Sequence, residues 1–189
     1  MSVLSLILRN FELAMRLHAA MPALDLPTAY AHVEAATAAA TEEVTAELLL
    51  GIAFVESRFD PTATSRVEGT TRRTGRYPFT AMPAALDRRA ALFCGPLQTI
   101  ATSWSSCLTM RNLKVAYATG ASELTQWLRD RRVRGDVTRA LAGHGCGNQG
   151  VLTGGCNGYP TRVLWMERKL RTAATHRGSA PVAHAVARS

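Results

Sequence analysis

One carboxylate stands apart from the other acidic residues of this chain. Glu56 follows the run Leu48-Leu49-Leu50-Gly51-Ile52-Ala53-Phe54-Val55, and at helical spacing it lies three, four and seven residues beyond Ala53, Ile52 and Leu49. It therefore shares their apolar face. Glu47, on the opposite side of the same helix, reads as an ordinary solvated carboxylate. A lone Glu on an apolar stripe must be paired, be protonated or line a cleft. Glu56 also falls in the last turn, where the helix dipole disfavours an anion. Both effects favour the protonated acid, the form that a general acid needs near neutral pH. An ion pair with Arg58 or a buried hydrogen bond is the structural alternative.

The remaining candidates come in short strings. Asp60 and Pro61 follow Glu56-Ser57-Arg58-Phe59; Gly95-Pro96-Leu97-Gln98 comes next; Arg139-Ala140-Leu141-Ala142-Gly143-His144-Gly145 and Tyr159-Pro160 lie further on. These four strings, in this order, resemble the motifs of the lytic transglycosylases and goose-type lysozymes. The first ends a core helix on the catalytic Glu. The second is similar to Gly-Leu-Met-Gln, the third falls where the family reads Ala-Leu-Ala-Ala-Tyr-Asn, and the fourth matches the closing Tyr motif. His144-Gly145 departs from Tyr-Asn, and the gap from Glu56 to Gly95 is longer than usual by about a dozen residues.

The resemblance implies a lysozyme-like domain whose substrate is the glycan strand of peptidoglycan. Glu56 would protonate the β-1,4 bond between N-acetylmuramic acid and N-acetylglucosamine as an oxocarbenium-like transition state develops. It would then take the proton of the C6 hydroxyl as a 1,6-anhydro ring closes. Ser57, Gln98, His144 and Tyr159 would bind substrate or orient the acid. A hydrolysing muramidase would use the same Glu56 with water. A structural virion protein could keep the fold without activity. No cofactor is expected, and no second core-facing Asp or Glu is evident.

The elements that must position these residues are mainly helical. Two helices fill 1–40, broken by Pro22 and Pro27; the first carries Leu4, Leu8, Phe11 and Met15 on one face. A helix from Thr41 to Phe59, capped by Thr41 with Glu42 and Glu43 at its positive end, carries Glu56. The segment at about 66–93, with five charges (net +3) in Arg66–Thr80, reads as a small β-hairpin or a basic loop. A helix is expected after Pro96, another over 112–129, a short one from Asp136 to Ala142, and a last one over 160–172. Residues 143–158 hold seven glycines and need a staple to hold any shape. The organisation expected is N-terminal helices over 1–40 packed on a domain at 41–172, with a disordered tail at 173–189.

The four cysteines lack the Cys-x-x-Cys spacing of a zinc site, so no metal is expected. Pairing Cys146 with Cys156 would close a short loop worth about 2–3 kcal/mol. Cys94 and Cys107 could pair only if the helix between them is short or bent, because an unbroken one would hold them more than about 7 Å apart. Disulfides fit an oxidising place of action.

With 189 residues, 47% of them hydrophobic and 19% charged, the chain is too apolar to be disordered and of one-domain size. No apolar run approaches the roughly 20 residues of a membrane span. The net charge of +8 suits a polyanionic partner. Nucleic acid is disfavoured, because the Arg residues scatter over loops and helix ends rather than along one groove-reading helix. The N-terminus makes a poor export signal, since Arg9 interrupts its apolar stretch. A phage protein that acts on the wall, carried in the virion beside tail or other virion proteins or released at lysis, reconciles these features.

Overall fold

The computed structural model describes residues 2–68, 71–74, 90–101 and 103–172. They form a mainly α single domain with a small antiparallel sheet. The helices among the described residues are α1 (Val3–Ala20), α2 (Leu26–Ala39), α3 (Ala46–Ser57), α4 (Trp104–Thr109), α5 (Leu113–Arg129), α6 (Val137–Thr153) and α7 (Tyr159–Thr172). The strands are β1 (Thr64–Glu68), β2 (Thr71–Thr74), β3 (Ala90–Cys94) and β4 (Thr99–Ala101), in the order β2-β1-β3-β4. The hairpin alternative for 66–93 is thus met by β1 and β2, paired from Ser65↔Thr74 to Glu68↔Thr71. Residues 75–89 and the tail from 173 lie outside the described residues.

Helix α3 is the axis of the core. Ala46 and every residue from Leu48 to Ala53 are buried, so the helix is enclosed on all sides for two turns instead of showing one stripe. It starts four residues later than expected. Thr41 Oγ1 accepts from the Val44 amide, and the Thr41 amide donates to the Val44 carbonyl, closing a separate turn. Thr45 takes the cap position, accepting from Leu48 N at 3.2 Å. Two threonines four residues apart offered the same capping chemistry, and the first was spent on the turn. Glu42 and Glu43 consequently sit before the helix, not in its first turn.

Helix α7 lies antiparallel against α3. Arg171 Nη2 donates to Thr45 Oγ1 at one end, while Gly51 meets Val163 in the middle. A Cβ at Gly51 would sit 2.7 Å from the Val163 carbonyl oxygen, so only glycine allows this approach. Leu49, Ile52, Val163, Met166 and Leu170 are fully buried around this contact, with Tyr117 and Leu124 from α5 and Leu141 from α6 in the same core. α1 and α2 contribute Leu13, Leu17 and Val33 to it. Pro27 falls in the first turn of α2 behind the Asp25 cap, where its missing N–H costs nothing.

α1 does not pack as its apolar pattern suggested. Asn10, Leu13, Ala14 and Leu17 face inward, whereas Leu4, Leu8, Phe11 and Met15 are exposed. No helix of the described residues is long and apolar enough to cross a membrane.

Two expectations about the second half change. Gly95-Pro96-Leu97-Gln98 opens no helix; it is the turn that joins β3 to β4, with Gly95 at φ +74° and Gln98 at φ +50°. Helix α4 begins only at Trp104, after the chain has reversed, and this brings Cys94 and Cys107 within 5.4 Å (Cα–Cα) to form a disulfide. The glycine-rich stretch, in turn, does not leave the helix at Ala142. α6 continues to Thr153 with one break at Gly147 (φ 60°, ψ −151°), and a second disulfide joins Cys146 to Cys156.

Candidate active site

Glu56 sits where α3 leaves the core. The residues one and two turns earlier are fully buried, whereas Phe54, Val55, Glu56 and Ser57 are half-buried. The acid is therefore at the rim of the core, not inside it. The helix is stopped behind it by two consecutive left-handed residues, Arg58 (φ 57°) and Phe59 (φ 67°), a conformation that costs energy away from glycine. Packing holds both in place. The Arg58 guanidinium lies 4.0 Å over the Phe54 ring, and Phe59 is only 2% exposed with its ring edge-on to His32 at 5.1 Å. His32 Nδ1 meets the Tyr117 hydroxyl at 3.0 Å. Burial holds the His32 imidazole well below its ordinary range, at about 4, and pushes the Tyr117 phenol up, so both are neutral props beneath the end of α3.

Each of the other strings is brought to this end of the helix. Ser57 Oγ donates to the Pro96 carbonyl at 2.9 Å and accepts from the Asp60 amide at 3.1 Å, tying the residue after the acid to the β3–β4 turn. Gln98 is buried in that turn. Its Nε2 donates to the Ala63 and Gly95 carbonyls, both at 3.0 Å, and its Oε1 accepts from Ser65 Oγ at 2.8 Å. The polar atoms of Ser57 and Gln98 thus have protein partners within the turn and the end of α3.

His144 forms the facing wall. Its side chain is 2% exposed, and Nε2 lies 3.3 Å from the Leu97 carbonyl. A carbonyl can only accept, so Nε2 carries the proton. The ring is 6.3 Å from that of Tyr159. Tyr159 opens α7, its amide donating to the Cys156 carbonyl at 2.7 Å. Because α7 runs antiparallel to α3, with Arg171 beside Thr45 and Val163 beside Gly51, Tyr159 stands at the end of α7 that flanks Glu56.

The glycine at 145 has a packing reason. A Cβ there would meet ring carbons of Tyr159 at 2.9 Å and Cys156 Sγ at 3.1 Å. The Tyr159 ring occupies the space that a side chain at 145 would need. Gly120 has the same relation to Leu97, whose side chain would come within 2.5 Å of a Cβ, and it lets α5 press the turn against the site.

A second carboxylate, missed in the sequence, lies in this wall. Glu123 Oε1 is 3.7 Å from His144 Nδ1, an atom that is buried without a hydrogen-bond partner. The signal was the spacing on α5: Gly120 packs on Leu97 and Trp127 on Gly143, so Glu123, between them at i+3 and i−4, had to share the face toward α6. Among the described residues no group of three or more His, Cys, Asp or Glu is placed to hold a metal ion.

Compared with protein-family models, curated proteins and solved structures, the chain finds no match.

Proposed function

We propose that this protein is a peptidoglycan-cleaving lytic transglycosylase with Glu56 as its single catalytic acid. One observation carries the reading: four strings spread over residues 56–160 converge at one end of α3 through contacts of their own. Ser57 reaches Pro96 at 2.9 Å, His144 reaches the next carbonyl, Leu97, at 3.3 Å, and the His144 ring is 6.3 Å from that of Tyr159. A shared locus for strings so far apart in the sequence supports the reading.

In this reading the half-buried Glu56 gives its proton to the glycosidic oxygen, and the resulting carboxylate takes the proton of the C6 hydroxyl as the 1,6-anhydro ring forms. Ser57, Gln98 and Tyr159 keep the end of α3 and its facing wall in register, since a small misplacement of an acid costs catalysis steeply. Two disulfides support an extracytoplasmic place of action. A phage-borne enzyme that opens the wall, in the virion or at lysis, accommodates this.

Glu123 favours one second reading. A carboxylate beside an imidazole can orient a water, which is what a hydrolysing muramidase adds to the same acid. Digestion of purified peptidoglycan with mass spectrometry of the products separates the two. Transglycosylation leaves 1,6-anhydromuramyl ends and hydrolysis leaves reducing ends, while an intact sacculus would refute both.

A further inference from the structure

The outward face of α1 carries a pattern that the site does not use. Leu4, Leu8, Phe11 and Met15 are 66, 56, 48 and 43% exposed, and their spacings of four, three and four residues are those of the a and d positions of a coiled coil. Val3 and Ile7, at 76 and 48% exposure, widen the stripe on one side. The helix needs none of these residues for its own docking, which rests on Leu13, Ala14 and Leu17.

We propose that α1 is a self-association surface, and that its occupant is the α1 helix of a second copy of this chain. Three observations favour that occupant. First, the four-three-four spacing makes a narrow seam that fits a facing helix through knobs-into-holes packing, and α1 itself presents such a seam. Two copies are therefore self-complementary, as a two-fold interface requires. Second, the exposed parts of the six side chains amount to an apolar patch on the order of 600 Å², at the upper end of what a monomer shows. With the stems of the flanking polar residues, this approaches the roughly 800 Å² that each partner gives to a stable interface. Third, the charges beside the seam are of both signs. Arg16 is drawn inward to the Leu170 carbonyl at 3.2 Å and to Glu12 at 3.5 Å, whereas a helix lying on an anionic bilayer is lined with Lys and Arg. The seam is separate from Glu56, so the proposal does not depend on the enzymatic reading.

Sedimentation velocity of the whole chain over about 1–100 μM tests it. The expected result is a species of twice 20.4 kDa at the upper concentrations. In the Leu8→Glu/Phe11→Glu variant it should dissociate to monomer, with the midpoint concentration raised at least about 100-fold. The substituted positions are exposed, so circular dichroism and the thermal midpoint should show an intact fold. Leu152→Glu, at an isolated exposed leucine of α6 (70%), should leave the dimer unchanged. A wild-type chain that is monomeric at 100 μM overturns the proposal. So does a dimer that survives the double substitution, or flotation of a monomeric wild type with anionic phosphatidylglycerol vesicles that the double variant loses.

Discussion

The two walls beside the end of α3 are held by different physics. The α3–α7 wall is dry and apolar: Leu49, Ile52, Val163, Met166 and Leu170 surround a glycine contact at Gly51, and neutral His32 and Tyr117 close it from beneath. The opposite wall, residues 143–158, has seven glycines and few large apolar side chains. It keeps its shape through glycine-mediated close approaches and the Cys146–Cys156 bridge. The first wall is packed into the core along its length. The second joins the same core through Val151 and Cys156 and is otherwise stapled locally, so damage to it should cost activity before it costs the fold.

Acid offers the largest test of the first wall. His32 is held neutral, with its folded value at about 4 against 6.5 when unfolded. Between those values the unfolded chain binds a proton that the folded chain refuses, so stability is full above pH 6.5 and falls as the pH drops to about 4. The integrated loss is about 3 kcal/mol. Urea denaturation at a series of pH values reads it, and His32→Gln should flatten the slope in that window.

Removing the staple tests the second wall. Cys146→Ser/Cys156→Ser should lower stability by about 2–3 kcal/mol, and amide exchange should accelerate over 143–158 while α3 and α7 stay protected. Uniform acceleration across both walls would erase the distinction.

Gly51→Ala and Gly145→Ala sharpen the comparison within one substitution type. At Gly51 the new methyl meets a backbone carbonyl that cannot move without shifting α7, and the expected cost is about 2 kcal/mol, seen as a lower thermal midpoint. At Gly145 it meets Cγ and Cδ1 of the buried Tyr159 ring at 2.9 Å and the disulfide-bonded Cys156 Sγ at 3.1 Å, so the stability cost should be about 1–2 kcal/mol. Cleavage of peptidoglycan should fall by about tenfold or more, because the Tyr159 ring is displaced from its place against Gly145 and His144. The smallest effect is expected for Glu123→Gln, a few-fold loss of cleavage, as an isostere keeps the shape of the wall. A larger loss with a changed product would bring water activation to the fore.

The pattern of helices was readable from caps and periodicity where one signal dominated, as with Asp136 before α6. It failed where two residues competed for one role. Thr41 and Thr45 could each cap α3, and only the tertiary path decided between them. Gly95-Pro96 is compatible both with a helix start and with the turn it forms, and the left-handed Gln98 leaves no trace in composition. α6 outran its expected end because its glycines pack against Trp127 and Tyr159, partners far away in sequence. Glu56, Ser57, Gln98, His144 and Tyr159 stand in short strings that can be read along the chain, whereas Glu123 comes into view only through the α5–α6 contact. The outward face of α1 was legible as a stripe, but its direction was not, since Leu13, Ala14 and Leu17 form a second apolar stripe on the same helix.

The central claim is that Glu56 is the catalytic acid of a wall-cleaving enzyme. The most direct test is the release of soluble muropeptides from purified peptidoglycan by the wild type, by Glu56→Gln and by Glu47→Gln, with thermal midpoints taken on the same samples. The expected result is cleavage by the wild type and Glu47→Gln, and a loss of at least about a thousandfold in Glu56→Gln, whose stability stays within about 1 kcal/mol. Cleavage retained by a folded Glu56→Gln, or no muropeptide release by the wild type, would contradict the account.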